Sequence, residues 1–225
     1  MKIFLIRHGE QLYPKDEQGR KLVSGLDAPL VELGRRQLRE LGTELVNEGE
    51  VLDALYISPV LRARQSSEEL VVAAVISAAN IHVIDELKET FPNSAEGKTY
   101  DDLAERGGDI YAKPFGSQES LDHLIEREKR AKEFILSDAR RRGYKSIGIV
   151  GHGDPLCAWD WSLKHTDLPI SYGEMRDSYY PQKGQALVYI IDANLQMVGE
   201  GRIITTESAK QTIEGFRNFP QKEAE

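Results

Sequence analysis

The sequence predicts an α/β fold, a three-layer αβα sandwich whose mostly parallel sheet of about six strands carries helices on both faces. Two observations lead there. Short, largely apolar β-prone runs recur along the chain, and stretches of helical periodicity separate them. A chain of 225 residues can build one large core. It reads as a single domain over residues 1–225, with an irregular excursion at about 85–120.

The elements follow in order. Ile3–Ile6 is the first strand, and Leu33, Leu38, Leu41 and Leu45 share one face of the helix after it. Leu55–Ile57 is the second strand. The segment from Val60 to Ala79, rich in alanine and small residues, predicts a tightly packed helix. Ile81–Ile84 is the third strand, and the excursion after it has several Gly and Pro and weak periodicity. Leu121, Leu124, Ile125 and Ile135 line the next helix, whose Arg140-Arg141-Arg142 end complements the helix dipole before Gly143. Ile147–Val150 and Ala186–Ile191 are strands four and five. Val198–Ile204 follows the Asp192-Ala193-Asn194 turn as a hairpin partner. Residues 166–184 read as a loop whose Tyr172, Tyr179 and Tyr180 are placed to line an entrance, and the tail after Gly215 as a polar end that frays.

Composition narrows the function. A net charge of −8 argues against a nucleic-acid surface, which needs clustered Lys and Arg, but leaves room for a small cationic pocket. No run approaches the 18 or so apolar residues of a membrane span. The first apolar stretch stops at Arg7, too soon for a signal peptide. Cys157 is the single cysteine, so no intrachain disulfide forms and a reducing, cytoplasmic setting is expected.

Ligands of open α/β sheets bind beyond the carboxyl ends of the strands. Those positions hold Arg7, His8 and Gly9 after the first strand, then Ser58, Pro59 and Arg62 after the second. Asp85, Glu86 and Glu89 follow the third, and Gly151, His152 and Gly153 the fourth. Two guanidinium forks suit phosphate oxygens, and a helix N-terminus near Arg62 adds backbone N–H donors. A neutral imidazole can attack phosphorus, and a carboxylic acid can protonate the leaving oxygen. Gly9 fits because a side chain there would crowd a close approach. Metal ligation by His8 and His152 is a second alternative, but the nearby carboxylates do not fall at a common ligand spacing, so neither metal nor cofactor is expected. Asp154 before Pro155 reads as a helix N-cap with proline at the first helical position. His82, His123, His165 and Cys157 read as structural or surface residues, and Trp159 and Trp161 as packing residues of one helix.

These residues resemble the histidine phosphatase superfamily, also called the phosphoglycerate mutase-like family. "RHGE" after an apolar strand is similar to its signature, and "DAPLVELGRRQ" (27–37) to its D-x-P-L-T-x-x-G-x-x-Q segment. "SPVLRARQSSEEL" (58–70), "LKE" (87–89), "GSQESLDHLIER" (116–127) and "IVGHGDPL" resemble later family motifs, in family order. The resemblance implies His8 as nucleophile, with Arg7, Arg62 and His152 binding the phosphoryl group and Glu89 donating the proton. It adds Ser24, Gly25, Gln11 and Gly153 as substrate-binding candidates. Only the L-x-E spacing selects Glu89 over Glu86, Glu96 or Asp154. Mutases continue R-H-G-E-S-x-W-N, whereas this chain reads Gln11, Leu12, Tyr13 and Pro14 and then inserts a polar stretch around Lys15 to Lys21. The arginine- and proline-rich insertion typical of mutases after the proton donor is also absent. The implied activity is a metal-independent phosphatase on a small phosphorylated substrate. A cofactor-dependent phosphoglycerate mutase and a catalytically weak phospho-ligand or protein-binding module are the alternatives.

Overall fold

Successive side chains of a strand point to opposite sheet faces, and in the first strand both faces are dry. In the computed structural model, β1 (Lys2–Arg7) puts Ile3 and Leu5 into one apolar core and Phe4 and Ile6 into another. The structure describes residues 1–90, 97–104, 111, 119–165, 167–169 and 171–216. On the Phe4 side lie α1 (Glu32–Asn47) and α2 (Leu61–Val72), contributing Leu38, Leu41, Leu45 and Leu70. On the Ile3 side lie α4 (Leu121–Arg142) and α5 (Gly153–Lys164), contributing Ile135, Ala139 and Trp159. Between α2 and α4, the short α3 (Tyr100–Ala104) lies within the excursion.

The remaining strands are β2 (Ala54–Ile57), β3 (Ile81–Val83), β4 (Ser146–Gly151), β5 (Ala186–Ile190) and β6 (Arg202–Ile204). Their order is β3-β2-β4-β1-β5-β6. The first four in that order run parallel, and β5 and β6 are antiparallel additions, so the sheet is mixed but mostly parallel. Register does the positioning. Arg7 lies opposite Gly151 and Ile57 opposite Val150, so β1, β2 and β4 deliver their next residues to one edge.

Two expectations need correction. The helix expected to reach Ala79 ends at Val72, because Ala74 takes the left-handed conformation (φ 61°) and Val75 N–H returns to the Leu70 carbonyl at 3.2 Å. That is the helix-ending geometry usually marked by glycine. Gly143 closes α4 in the same way and is legible. The loop at 166–184 contains α6 (Tyr172–Ser178), started by the Ser171 hydroxyl accepting from Glu174 N–H. The segment before the tail forms α7 (Glu207–Phe216), tied to α1 where Gln37 Nε2 donates to the Ser208 carbonyl at 3.1 Å, and residues 217–225 lie outside the described residues. No helix among the described residues is long and apolar enough to cross a membrane.

Candidate active site

Because β1 and β4 end level, the residues after them are neighbours: the His8 and His152 rings lie 5.1 Å apart, both buried. His8 Nδ1 is 2.7 Å from the Gly9 carbonyl. A carbonyl only accepts, so Nδ1 carries the proton and Nε2 presents its lone pair. Arg62 Nε donates to that Nε2 at 3.2 Å. His152 Nε2 meets the Ser58 hydroxyl at 2.8 Å, and its Nδ1 has no hydrogen-bond partner among the described residues. Arg7 donates to the Pro181 carbonyl at 2.8 Å and lies against the Tyr180 ring, while its Nε has no hydrogen-bond partner among the described residues.

Arg62 is the second residue of α2 and 3% exposed. Besides His8 it reaches the Gly25 carbonyl at 3.2 Å, and the Ser24 hydroxyl accepts from Gln11 Nε2 at 3.2 Å. The loop holding Ser24 and Gly25 therefore lies beside the histidine–arginine cluster. Gln11 is buried, and its Oε1 has no hydrogen-bond partner among the described residues.

Among the acid candidates, Glu89 joins the cluster. Its Oε2 is 3.6 Å from Arg62 Nη2 and 3.5 Å from His152 Nδ1, and its Oε1 accepts from Thr90 N–H at 3.0 Å. Glu86 is exposed, and Glu96 lies outside the described residues. Asp154 is buried, but it is not the N-cap that the Asp-Pro pair predicts. His152 occupies the cap position and α5 begins at Gly153, so Asp154 already lies inside the helix. Its carboxylate accepts from Tyr172 Oη at 2.9 Å and Tyr111 Oη at 3.1 Å. Burial, then the nearby Glu89, pushes the Asp154 carboxyl up to about 6.

The field favours an anion. Burial, then Arg62, His152, Arg7 and Lys183, holds His8 well below the usual imidazole range, so the ring is neutral at pH 7. Burial, Arg62 and Arg7 do the same for His152, so its contact with Glu89 is not a salt bridge. Folding also corrects the spacing argument against a metal, because ligand-type atoms of His8, Glu89 and His152 lie within 4.8 Å of one another. Two fixed guanidinium charges beside the same atoms oppose a dication there and suit phosphate.

Two glycines have roles the sequence does not show. A Cβ on Gly9 would lie 2.3 Å from the Gly34 carbonyl oxygen, so Gly9 makes room for the backbone of α1 rather than for a ligand. A Cβ on Gly153 would lie 2.2 Å from Tyr180 Oη and 3.3 Å from Arg7 Cζ, so this glycine lets Arg7 take its place. Sequence reasoning missed Lys183, which is 2% exposed. Its ammonium donates to Glu10 Oε1 at 3.1 Å and to the Tyr13 hydroxyl. Burial, opposed by Glu10 and reinforced by Arg7, pulls it down to about 7. "QKGQ" reads as an exposed turn, and no sequence signal marks the lysine. Ser58 had a signal, its place directly after β2, but no assigned role.

Residues 3–171 match the model of the histidine phosphatase superfamily (branch 1). A metal-independent phosphoserine phosphatase of Arabidopsis thaliana is 28% identical over 166 residues, 70% of this chain and 66% of that protein. Relatives from Mycobacterium tuberculosis are 30% identical over 69% of this chain but only 42% of their own length. The chain thus spans less than two thirds of these relatives. The fold is shared with an α-ribazole phosphatase from Shigella flexneri, at TM-score 0.66 and 22% identity over 93% of this chain and 97% of that one. It is shared also with a phosphoserine phosphatase from Entamoeba histolytica crystallised with 3-phosphoglyceric acid, at TM-score 0.65 and 22% identity over 92% and 98%.

Proposed function

The chain belongs to the histidine phosphatase superfamily, branch 1, and from that premise we propose that it is a metal-independent phosphatase hydrolysing a small phosphomonoester through a phosphohistidine on His8. The observation that carries this reading is the His8 tautomer. Nδ1–H is tied to the Gly9 carbonyl, and the Nε2 lone pair faces the Arg62 guanidinium, where a phosphoryl group would be drawn.

In the first step the His8 Nε2 lone pair attacks phosphorus and the P–O bond to the leaving group breaks. The leaving oxygen takes the proton of the Glu89 carboxylic acid. Arg7, Arg62 and His152 stabilise charge on the equatorial oxygens. In the second step the Glu89 carboxylate takes a proton from water as its oxygen bonds to phosphorus. The P–N bond breaks, and its electron pair returns to Nε2. Gln11, Ser24 and Gly25 flank the leaving group, and Gly153 gives Arg7 its room. The Arabidopsis and Entamoeba relatives are named for phosphoserine and the Shigella one for α-ribazole, which supports a small phosphorylated metabolite as substrate.

The position of Ser24-Gly25 beside Arg62 supports one second reading, the phosphoglycerate mutase. A panel of phosphorylated small molecules assayed for free phosphate in excess chelator tests both. Release that chelator leaves unchanged is expected. A requirement for added divalent metal overturns the mechanism. Interconversion of phosphoglycerates that needs a bisphosphate primer selects the mutase, and phosphate binding without turnover selects a binding module.

A further inference from the structure

Glu89 hangs from a weak piece of backbone. After β3 the chain makes one 3₁₀ turn, Asp85–Leu87, closed by bonds of 3.1 Å (Leu87 N–H to the Ile84 carbonyl) and 3.3 Å (Lys88 N–H to the Asp85 carbonyl). So short a turn does not fix a side chain two residues on. Arg127, a buried residue of α4, reaches it from outside the cluster that meets phosphate. Its Nη1 donates to the Glu86 carbonyl, to the Lys88 carbonyl at 3.1 Å and to Glu128 Oε1 at 2.7 Å, two N–H groups shared among three acceptors. The Lys88 carbonyl belongs to the peptide that ends in the Glu89 nitrogen, so the guanidinium holds that peptide plane directly.

The arginine is itself held. Nε and Nη2 form a fork to Glu119 at 2.7 and 2.8 Å. Glu128 is gripped on its other oxygen by Trp159 Nε1 at 2.9 Å. Trp159 sits on α5, the helix that starts after His152. One buried network thus joins the backbone before Glu89 to the helix behind the second histidine.

We propose that Arg127 is the positioning residue of the proton donor, setting the Glu89 carboxyl against the leaving oxygen through the carbonyls of Glu86 and Lys88. The inference rests on Glu89 being the donor, and leaving-group dependence tests it. A p-nitrophenolate departs without a proton, whereas an alkoxide needs one. In Arg127→Met, kcat/KM should fall about 30- to 100-fold on β-glycerol phosphate and by less than about 3-fold on p-nitrophenyl phosphate, as for a misplaced acid. Arg127→Lys, which keeps the charge but loses the fork, should show the same bias more weakly, and it serves if the methionine variant does not fold. Equal losses on both esters, or no loss, overturn the proposal. Glu89→Gln run in parallel separates the two readings. If it spares β-glycerol phosphate, the donor assignment falls and this inference with it. If it discriminates between the esters and the Arg127 variants do not, only the inference falls.

Discussion

The two halves of the site are held by different kinds of bond. On the side of the proposed nucleophile, Arg7, His8 and His152 stand at the ends of paired central strands. His8 N–H donates to the Gly151 carbonyl, and Gly184 N–H donates toward the Arg7 and His8 carbonyls. On the side of the proposed acid, Glu89 follows an edge strand of three residues and a single 3₁₀ turn, and side chains of α4 supply the anchoring. A nucleophile that must meet phosphorus in line benefits from a frame with no soft torsions. The sheet edge holds His8 and His152 by backbone pairing, whereas Arg127 holds the segment before Glu89 by side-chain bonds.

That contrast breaks most visibly in the leaving-group dependence of two substitutions. His8→Ala removes the bond-forming atom and should cost at least ~10²-fold in kcat/KM on alkyl and aryl phosphates alike. Glu89→Gln removes only the proton. It should cost ~10²- to 10⁴-fold on an alkyl phosphate and far less on p-nitrophenyl phosphate, measured as released phosphate and released phenol. A His8→Ala loss confined to alkyl esters would mean that the halves are assigned the wrong way round.

The same division governs what was legible in the sequence. A continuous apolar run ending in Arg7-His8 states both the strand and its tip, because backbone pairing does the rest. Arg62 is legible for a similar reason, being placed by a short turn and the first turn of α2. Features held by side chains from distant segments leave no such trace. Arg127 reads as one more charged position of an amphipathic helix, and Lys183 as part of an exposed turn. Asp154 shows how a local rule loses to tertiary context: Asp-Pro says N-cap, but His152 takes the cap and two tyrosine hydroxyls take the carboxylate. Helix ends divide likewise. Gly143 announces the end of α4, while Ala74 ends α2 in the same conformation, supported by the burial of Val75 and Leu70.

Gly153→Ala sharpens the comparison inside the rigid half. The new methyl meets Tyr180 Oη, the far end of a ring packed between Arg7 and Arg176. The ring can yield, so folding should survive, with a melting temperature within a few degrees of wild type. Arg7 loses the surface it rests on. An arginine displaced by about 1 Å should cost ~10- to 100-fold in kcat/KM on both ester types, unlike the Arg127 variants. Unchanged kinetics in a folded variant would show that Arg7 is not held by Tyr180.

The smallest effect expected comes from Lys183, which acts on His8 through its field. Its ammonium is pulled down to about 7, so it is charged throughout the acid range. There its positive charge works with burial, Arg62, His152 and Arg7 to disfavour protonation of His8. A protonated His8 has no lone pair for phosphorus, so kcat/KM falls on the acid side as the ring takes up its proton. Lys183→Met removes one of the repelling charges, and the imidazole then binds its proton at higher pH. The acid limb of the kcat/KM profile should therefore move upward while remaining below the ordinary imidazole value, since burial and both arginines still act. The plateau should change little if Glu10 and Tyr13 keep their places. Profiles of the two proteins on p-nitrophenyl phosphate cancel the titration of the substrate, so a limb that stays put or moves downward would show that Lys183 does not act on His8.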